Sequence, residues 1–415
     1  MLDSKKIDTS KICGLVFDTT SVNSGVHKGV AVQLEEHLAK SLLQFACRHH
    51  VAELWGGAAC RVIYGETTSP EESCFKALCS FWSKVDVGNY RLPRIQGRFL
   101  KGLQSKVLKF LDVFLAAETC TLRHDYRELA ELTLLMLGGT LGKGITVKAP
   151  GATHHARWMA AMIYTFKITL FRDQLGEVFD NDCLDNIEEL GVFLALFYVR
   201  YWLCCGSGPD APAQDLALLS LLESAIDTKL VSVSFKELVQ ASLDKLVAGH
   251  LWYLSERLVP LALFSDHVSH HDKSMMAKQS LIYRDDPRMT RQQHPLADRY
   301  STKKLKDFVG PDSMTFFERY GVNPTFLTSP VSSWDDNTDY RTLSILVRGT
   351  SVINDCAERA LGLLTEFNCG KVTHDERQRQ ALLQVVRHMR RQQSAASAGT
   401  ERCTKKSIIN TNYKK

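Results

Sequence analysis

The sequence predicts an α/β layer at the amino terminus that runs on into a large all-α region. Two short apolar runs, residues 12–17 and 43–46, are each followed by a helical pattern, the order strand, helix, strand, helix that marks an α/β layer. From about residue 70 the texture changes to long helical periodicities, and no alternating strand pattern of useful length interrupts them up to about residue 330. With 415 residues, 45% hydrophobic and 23% charged, the chain has the composition of a globular protein of two or three packed regions, or of one core with a large insertion.

In chain order, ICGLVF at 12–17 reads as a buried strand that ends at Asp18, where Thr19, Thr20, Ser21, Asn23, Ser24 and Gly25 form turns and caps. Val30, Leu34, Leu38 and Leu42 then recur every four residues and predict a helix over 27–42. The run 43–46 is the second strand, and Val51, Leu54, Ala58 and Val62 mark one face of a helix over 50–64. Further helices are expected at 100–117, 126–137, 153–171, 187–204, 216–225 and 235–263. Residues 271–340 are richer in Pro, Asp, Lys and Arg and are expected to contain exposed connections. Helices are expected at 351–366 and 373–392, and 393–415 reads as a disordered basic tail.

The most apolar stretch, 190–205, contains Arg200 and is shorter than the roughly 20 residues of a bilayer crossing, so it reads as a buried helix and no membrane partner is expected. The 12 cysteines include no C-x-x-C pair, and no signal peptide is evident, which points to a reduced intracellular compartment. A net charge of +5 is mild; its excess sits at the carboxyl end in Arg387, Arg390, Arg391, Lys405, Lys406, Lys414 and Lys415, a distribution that permits nucleic-acid contact.

Three clusters could carry chemistry. Asp18, at the carboxyl end of a buried strand, suits a metal ligand emerging into a crevice, or opens an Asx-type turn with Thr20. Cys47-Arg48-His49-His50 follows the second strand. Its Cys47-x-x-His50 spacing is an incomplete zinc pattern, and His50 fits better as a phosphate contact or a buttress of the strand-to-helix turn. In Asn354-Asp355-Cys356-Ala357-Glu358-Arg359-Ala360, Asp355 and Glu358 share a helix face, either solvated or at the margin of an apolar face where a carboxylate needs a partner.

Together these strings resemble the hAT superfamily of cut-and-paste DNA transposases. Phe17 to Gly25 is similar to its T-D-x-x-x-N element, Ala46 to Leu54 to its C-x-x-H-x-L-N-L element, His155 to Ala160 to its R-W motif, and Asn354 to Leu361 to its S-x-x-E-R element. The resemblance implies an incomplete ribonuclease-H-like core, formed by 1–69 and 341–392 and interrupted by a helical insertion over 70–340. It implies Asp18 and Glu358 as catalytic carboxylates and ligands of Mg2+ or Mn2+, DNA contacts from His50, Arg157 and Trp158, and a nuclear protein that cleaves and transfers DNA strands. Trp158 is alternatively a core aromatic of an amphipathic helix. The family's first catalytic Asp has no counterpart, since only Asp3 and Asp8 precede Asp18, and Val51-Ala52-Glu53-Leu54 departs from the family's L-N-L pattern. The expectation is therefore a chain that lacks cleavage activity, or a transposase-derived protein that binds DNA or assembles as a homo-oligomer.

Overall fold

Gly14 has no side chain where the first strand needs none: a Cβ there would meet the Phe45 ring at 2.6 Å. The bare backbone lets β1 (Gly14–Phe17) lie beside β2 (Leu43–Ala46) as a parallel pair in the register Gly14↔Leu43 to Phe17↔Ala46. The structure, a computed structural model, describes residues 8–25, 29–66, 73–117, 124–142, 146–150, 157–229, 231–285 and 299–354. The chain divides into a unit Met1–Asn354 and a second, Asp355–Lys415, which lies outside the described residues.

Between the strands run a single turn, α1 (Ser21–Ser24), and α2 (Val30–Leu38). The latter ends on Ala39 in the left-handed conformation, φ 50°. After β2 come α3 (Arg48–Tyr64), α4 (Ser73–Phe81), α5 (Arg98–Ala116), α6 (His124–Met136), α7 (Arg157–Leu170), α8 (Asn181–Phe193) and α9 (Val199–Cys204). They are followed by α10 (Ala211–Asp227), α11 (Val233–Val247), α12 (His270–Asp285), α13 (Ser313–Arg319) and α14 (Thr338–Arg348). The described protein is thus mainly helical, with one small two-stranded parallel sheet.

Helix α3 packs against α11, α7 against α6 and α8, and α10 against α11. One continuous apolar core joins β2 to these helices through Phe45, Trp55, Met162, Phe193 and Leu238. Trp55 is fully buried and meets Phe193, Tyr198 and Tyr201 edge-on. Gly56 beside it leaves room for the Tyr198 ring, which an added Cβ would meet at 2.6 Å. The buried stripe of α3 is Val51, Ala52, Trp55 and Ala59, whereas Val62, expected on the inner face, is 41% exposed. The apolar stretch 190–205 is buried, as its composition requires, but α8 and α9 are joined by a π turn, Leu194–Tyr198. No helix among the described residues is long and apolar enough to cross a membrane.

Three expectations change. The helix expected over 235–263 stops at Val247; Gly249 follows, and Pro260, which lacks a backbone N–H, falls in the later of two 3-10 turns, Trp252–Leu254 and Val259–Phe264. Residues 271–340 contain α12 and a packed aromatic cluster of Phe316, Phe326, Trp334 and Tyr340 on Phe264, with the Phe264 and Tyr340 rings stacked at 5.2 Å. Their polar residues had suggested exposed connections; the scattered aromatics hold short turns against α12 and α14 instead. Ser351, expected to begin a helix, pairs with Ser207 in an antiparallel bridge, and the rest of that expected helix lies outside the described residues. The pattern also gave no sign of α4.

Candidate functional site

The carboxyl ends of the two strands form an edge on which several polar side chains converge. β1 delivers Asp18 directly after Phe17. Its Oδ1 accepts from the Thr20 backbone N–H at 3.2 Å, the Thr20 hydroxyl at 2.6 Å and the Asn23 amide at 2.6 Å. The Asx turn and the carboxylate outlet are therefore one structure. Burial alone would raise the Asp18 pKa, but the hydrogen bonds from Thr20 and Asn23, with His50 nearby, hold it below its ordinary 3.8. Asp18 is ionised at neutral pH, with Thr20 and Asn23 fixing its orientation.

β2 leads into α3 through Cys47, whose N–H donates to Phe17 O at 2.7 Å and extends the strand pairing by one bond. The chain comes back to this turn from far along the sequence. Arg48 N–H donates to Val352 O at 2.9 Å, and Asn354 N–H donates to the Cys47 sulfur at 3.1 Å. The first bond satisfies one of the amides that a helix start leaves open. His50, in the first turn of α3, is half-buried with Nδ1 3.5 Å from Glu53 Oε2. The segment after α11 closes the edge from another side: Trp252 meets Phe17 edge-on at 6.3 Å, and the Tyr253 hydroxyl donates to Ala46 O at 2.5 Å. Thr19 Oγ1, His250 Nδ1 and Trp252 Nε1 are buried with no hydrogen-bond partner among the described residues. Burial, then Lys245 and His50, lower the His250 pKa from 6.5, so this imidazole is neutral at pH 7.

Arg48 anchors the edge to the helices. Its side chain is fully buried, with Nη2 2.6 Å from Asp215 Oδ1 and Nη1 donating to Cys205 O at 3.0 Å and Gln214 Oε1 at 2.8 Å. The guanidinium lies 4.8 Å from the Tyr201 ring centre, and the Tyr201 hydroxyl donates to the same Asp215 oxygen at 2.9 Å. Burial opposes the charge, but Asp215 outweighs it and keeps Arg48 protonated.

No family model matches the chain, and neither a curated protein nor a solved structure matches it. The site is therefore argued from its own chemistry.

Of the residues singled out in the sequence, Asp18 and His50 come to one edge, close enough for His50 to lower the Asp18 pKa. Arg157 opens α7 with Trp158 next to it, but their side chains lie outside the described residues, as does Glu358. No group of three or more His, Cys, Asp or Glu able to hold a metal occurs among the described residues. Asp18 alone is too small a donor set for Mg2+ or Mn2+, which take about six oxygens, so the described residues do not by themselves make a metal site. The zinc pattern at Cys47 stays incomplete too: burial pushes its thiol pKa up, and the sulfur accepts from Asn354. The buried pairing of Arg48 and the places of His250 and Trp252 at this edge were not foreseen. A break in the helical pattern at Gly249-His250 was the available signal for the last two.

Proposed function

We propose that the chain is a hAT-transposase-type protein that binds duplex DNA at the edge carrying Asp18, and that this polypeptide alone does not cut the strand. One observation supports the reading above others: Asp18 leaves a parallel strand pair, held ionised, at the turn to which residues 352–354 return across more than 300 intervening positions. An interrupted ribonuclease-H-like core needs such a return, and the sequence resemblance supplies Glu358 four residues further on. In that chemistry a hydroxyl oxygen attacks a phosphodiester in line, a new P–O bond forms and the opposite P–O bond breaks, with carboxylates holding two divalent ions. By the resemblance, Asp18 and Glu358 correspond to two such carboxylates, His50 to a phosphate contact, and Arg157 and Trp158 to contacts with a displaced strand. Two carboxylates fall one short of the family's three, which favours binding without cleavage.

The test incubates the purified 415-residue chain with labelled duplex DNA and Mg2+ or Mn2+, beside an Asp18→Ala, Glu358→Ala double variant. Salt-sensitive binding, equal in both proteins and without cleavage, is expected. Cleavage that the double variant loses would overturn the non-catalytic part, and absence of binding at about 50 mM salt would overturn the DNA reading altogether.

A further inference from the structure

We infer that the outer face of α5 is a docking surface for the phosphate backbone of duplex DNA, an inference that rests on the DNA-binding reading above. The inner face of α5 is committed to the core through Leu100, Leu103, Val107 and Leu111. With about 100° per residue, Arg98, Gly102, Ser105 and Lys109 share the crest of the outer face, and Lys101 and Lys106 stand on its two shoulders. All six are exposed. None of the four cations has an ion pair with a carboxylate among the described residues, and the one acid on this face is Asp112, towards its far end.

The crest is open: a Cβ added at Gly102 would meet nothing within 4 Å. Gly102 and Ser105 keep the middle low while cations rise at both ends of a span of about 16 Å and at both sides. A phosphate ridge can therefore approach the helix backbone closely. The patch continues beyond the helix. Arg94 is exposed four residues before Arg98, and Arg200 of α9 is exposed with its guanidinium 5.9 Å from the Phe110 ring centre of α5.

Duplex DNA fits better than an anionic membrane. A helix that lies on a bilayer buries an apolar face in the headgroup boundary, and here the apolar face is already used by the core. Val113, 72% exposed, is the one large apolar side chain on the crest side. The surface offers charge with little grease, which matches a partner bearing one phosphate per about 1.7 Å of axis.

The experiment measures duplex binding by the full chain as a function of salt. It compares Lys101→Ala/Lys106→Ala/Lys109→Ala with a control that removes the same charge elsewhere, Lys229→Ala/Lys278→Ala/Arg341→Ala. Five of the six alanines sit at exposed helical positions, where they preserve helix propensity, and Lys229 lies in the exposed turn after α10; a thermal melt checks that both variants fold. Each lost phosphate contact lowers the slope of log K against log salt by about 0.9, so the α5 variant should lose about 2.7 from its slope, while the control keeps the parent slope. Equal slopes in the parent and the α5 variant, or equal losses in both variants, would overturn the α5 surface and leave the DNA reading standing. No binding by the parent chain to DNA at any salt, including the case where it pelleted with phosphatidylserine vesicles, would overturn both.

Discussion

Replacing Asp215 by leucine leaves the Arg48 guanidinium fully buried without its anion. The loss comprises a 2.6 Å charge-assisted contact and the acceptor of the Tyr201 hydroxyl. Cys205 O, Gln214 and the Tyr201 ring remain, but they carry dipoles, not charge. Stranding one partner of a buried pair costs about 3–5 kcal/mol, so Asp215→Leu and Arg48→Met should each destabilise by that amount. The double variant Arg48→Met/Asp215→Leu removes both charges and refills the space, and should recover most of the loss. With about 1 kcal/mol left in the double variant, the coupling energy is at least about 5 kcal/mol, the sum of the two single costs less that of the double. Urea unfolding at unchanged m value measures all four proteins. A single-variant cost below about 1 kcal/mol, or a double variant equal to the sum of the singles, would refute the view that this pair ties the strand edge to α10.

The depressed His250 pKa makes stability pH-dependent: the group holds its full contribution above its unfolded value of 6.5 and loses it as pH falls through the folded one. His250→Gln should flatten the decline that sets in as pH falls below about 6.5, and superimposable curves for the two proteins would contradict the buried neutral imidazole. Ala39, exposed and at φ 50°, pays the left-handed penalty that glycine avoids. Ala39→Gly should raise unfolding stability by about 0.5–1 kcal/mol, and a decrease in the same urea titration would count against that.

What the sequence disclosed follows what local pattern can encode. A short, largely apolar run identified β2 to the residue, and another placed Asp18 at the end of β1, because a short buried strand needs only its own side chains to be recognised. The period of α5 located it within two residues at either end, since its amphipathic face is a local property. Arg48 was invisible as a core residue: its burial depends on Asp215, 167 positions away, and nothing near it marks an arginine as paired. The region after α11 was misread because its apolar residues read as a continuation of the same helix through Leu263, although Gly249 and Pro260 divide it into short turns. His250 and Trp252 were lost with that reading. The aromatic cluster around Phe326 has no period at all, so only the folded chain reveals it.

The two bonds that join Arg48 and Cys47 to Val352 and Asn354 also carry a cost in chain entropy. Closing a loop of about 300 residues is about 3 kcal/mol dearer than closing one of about 12, unless the intervening helices have already folded and shortened the path. On a ribosome that adds about 5–20 residues per second, Val352 emerges about 15–60 s after Arg48. Throughout that interval the start of α3 lacks the carbonyl that receives its first amide, while the strand pair and the helices behind it can already be in place. The joint beside Asp18 is therefore a late event in the life of each new chain, and a nick anywhere between α3 and α14 would leave it held by noncovalent contacts alone.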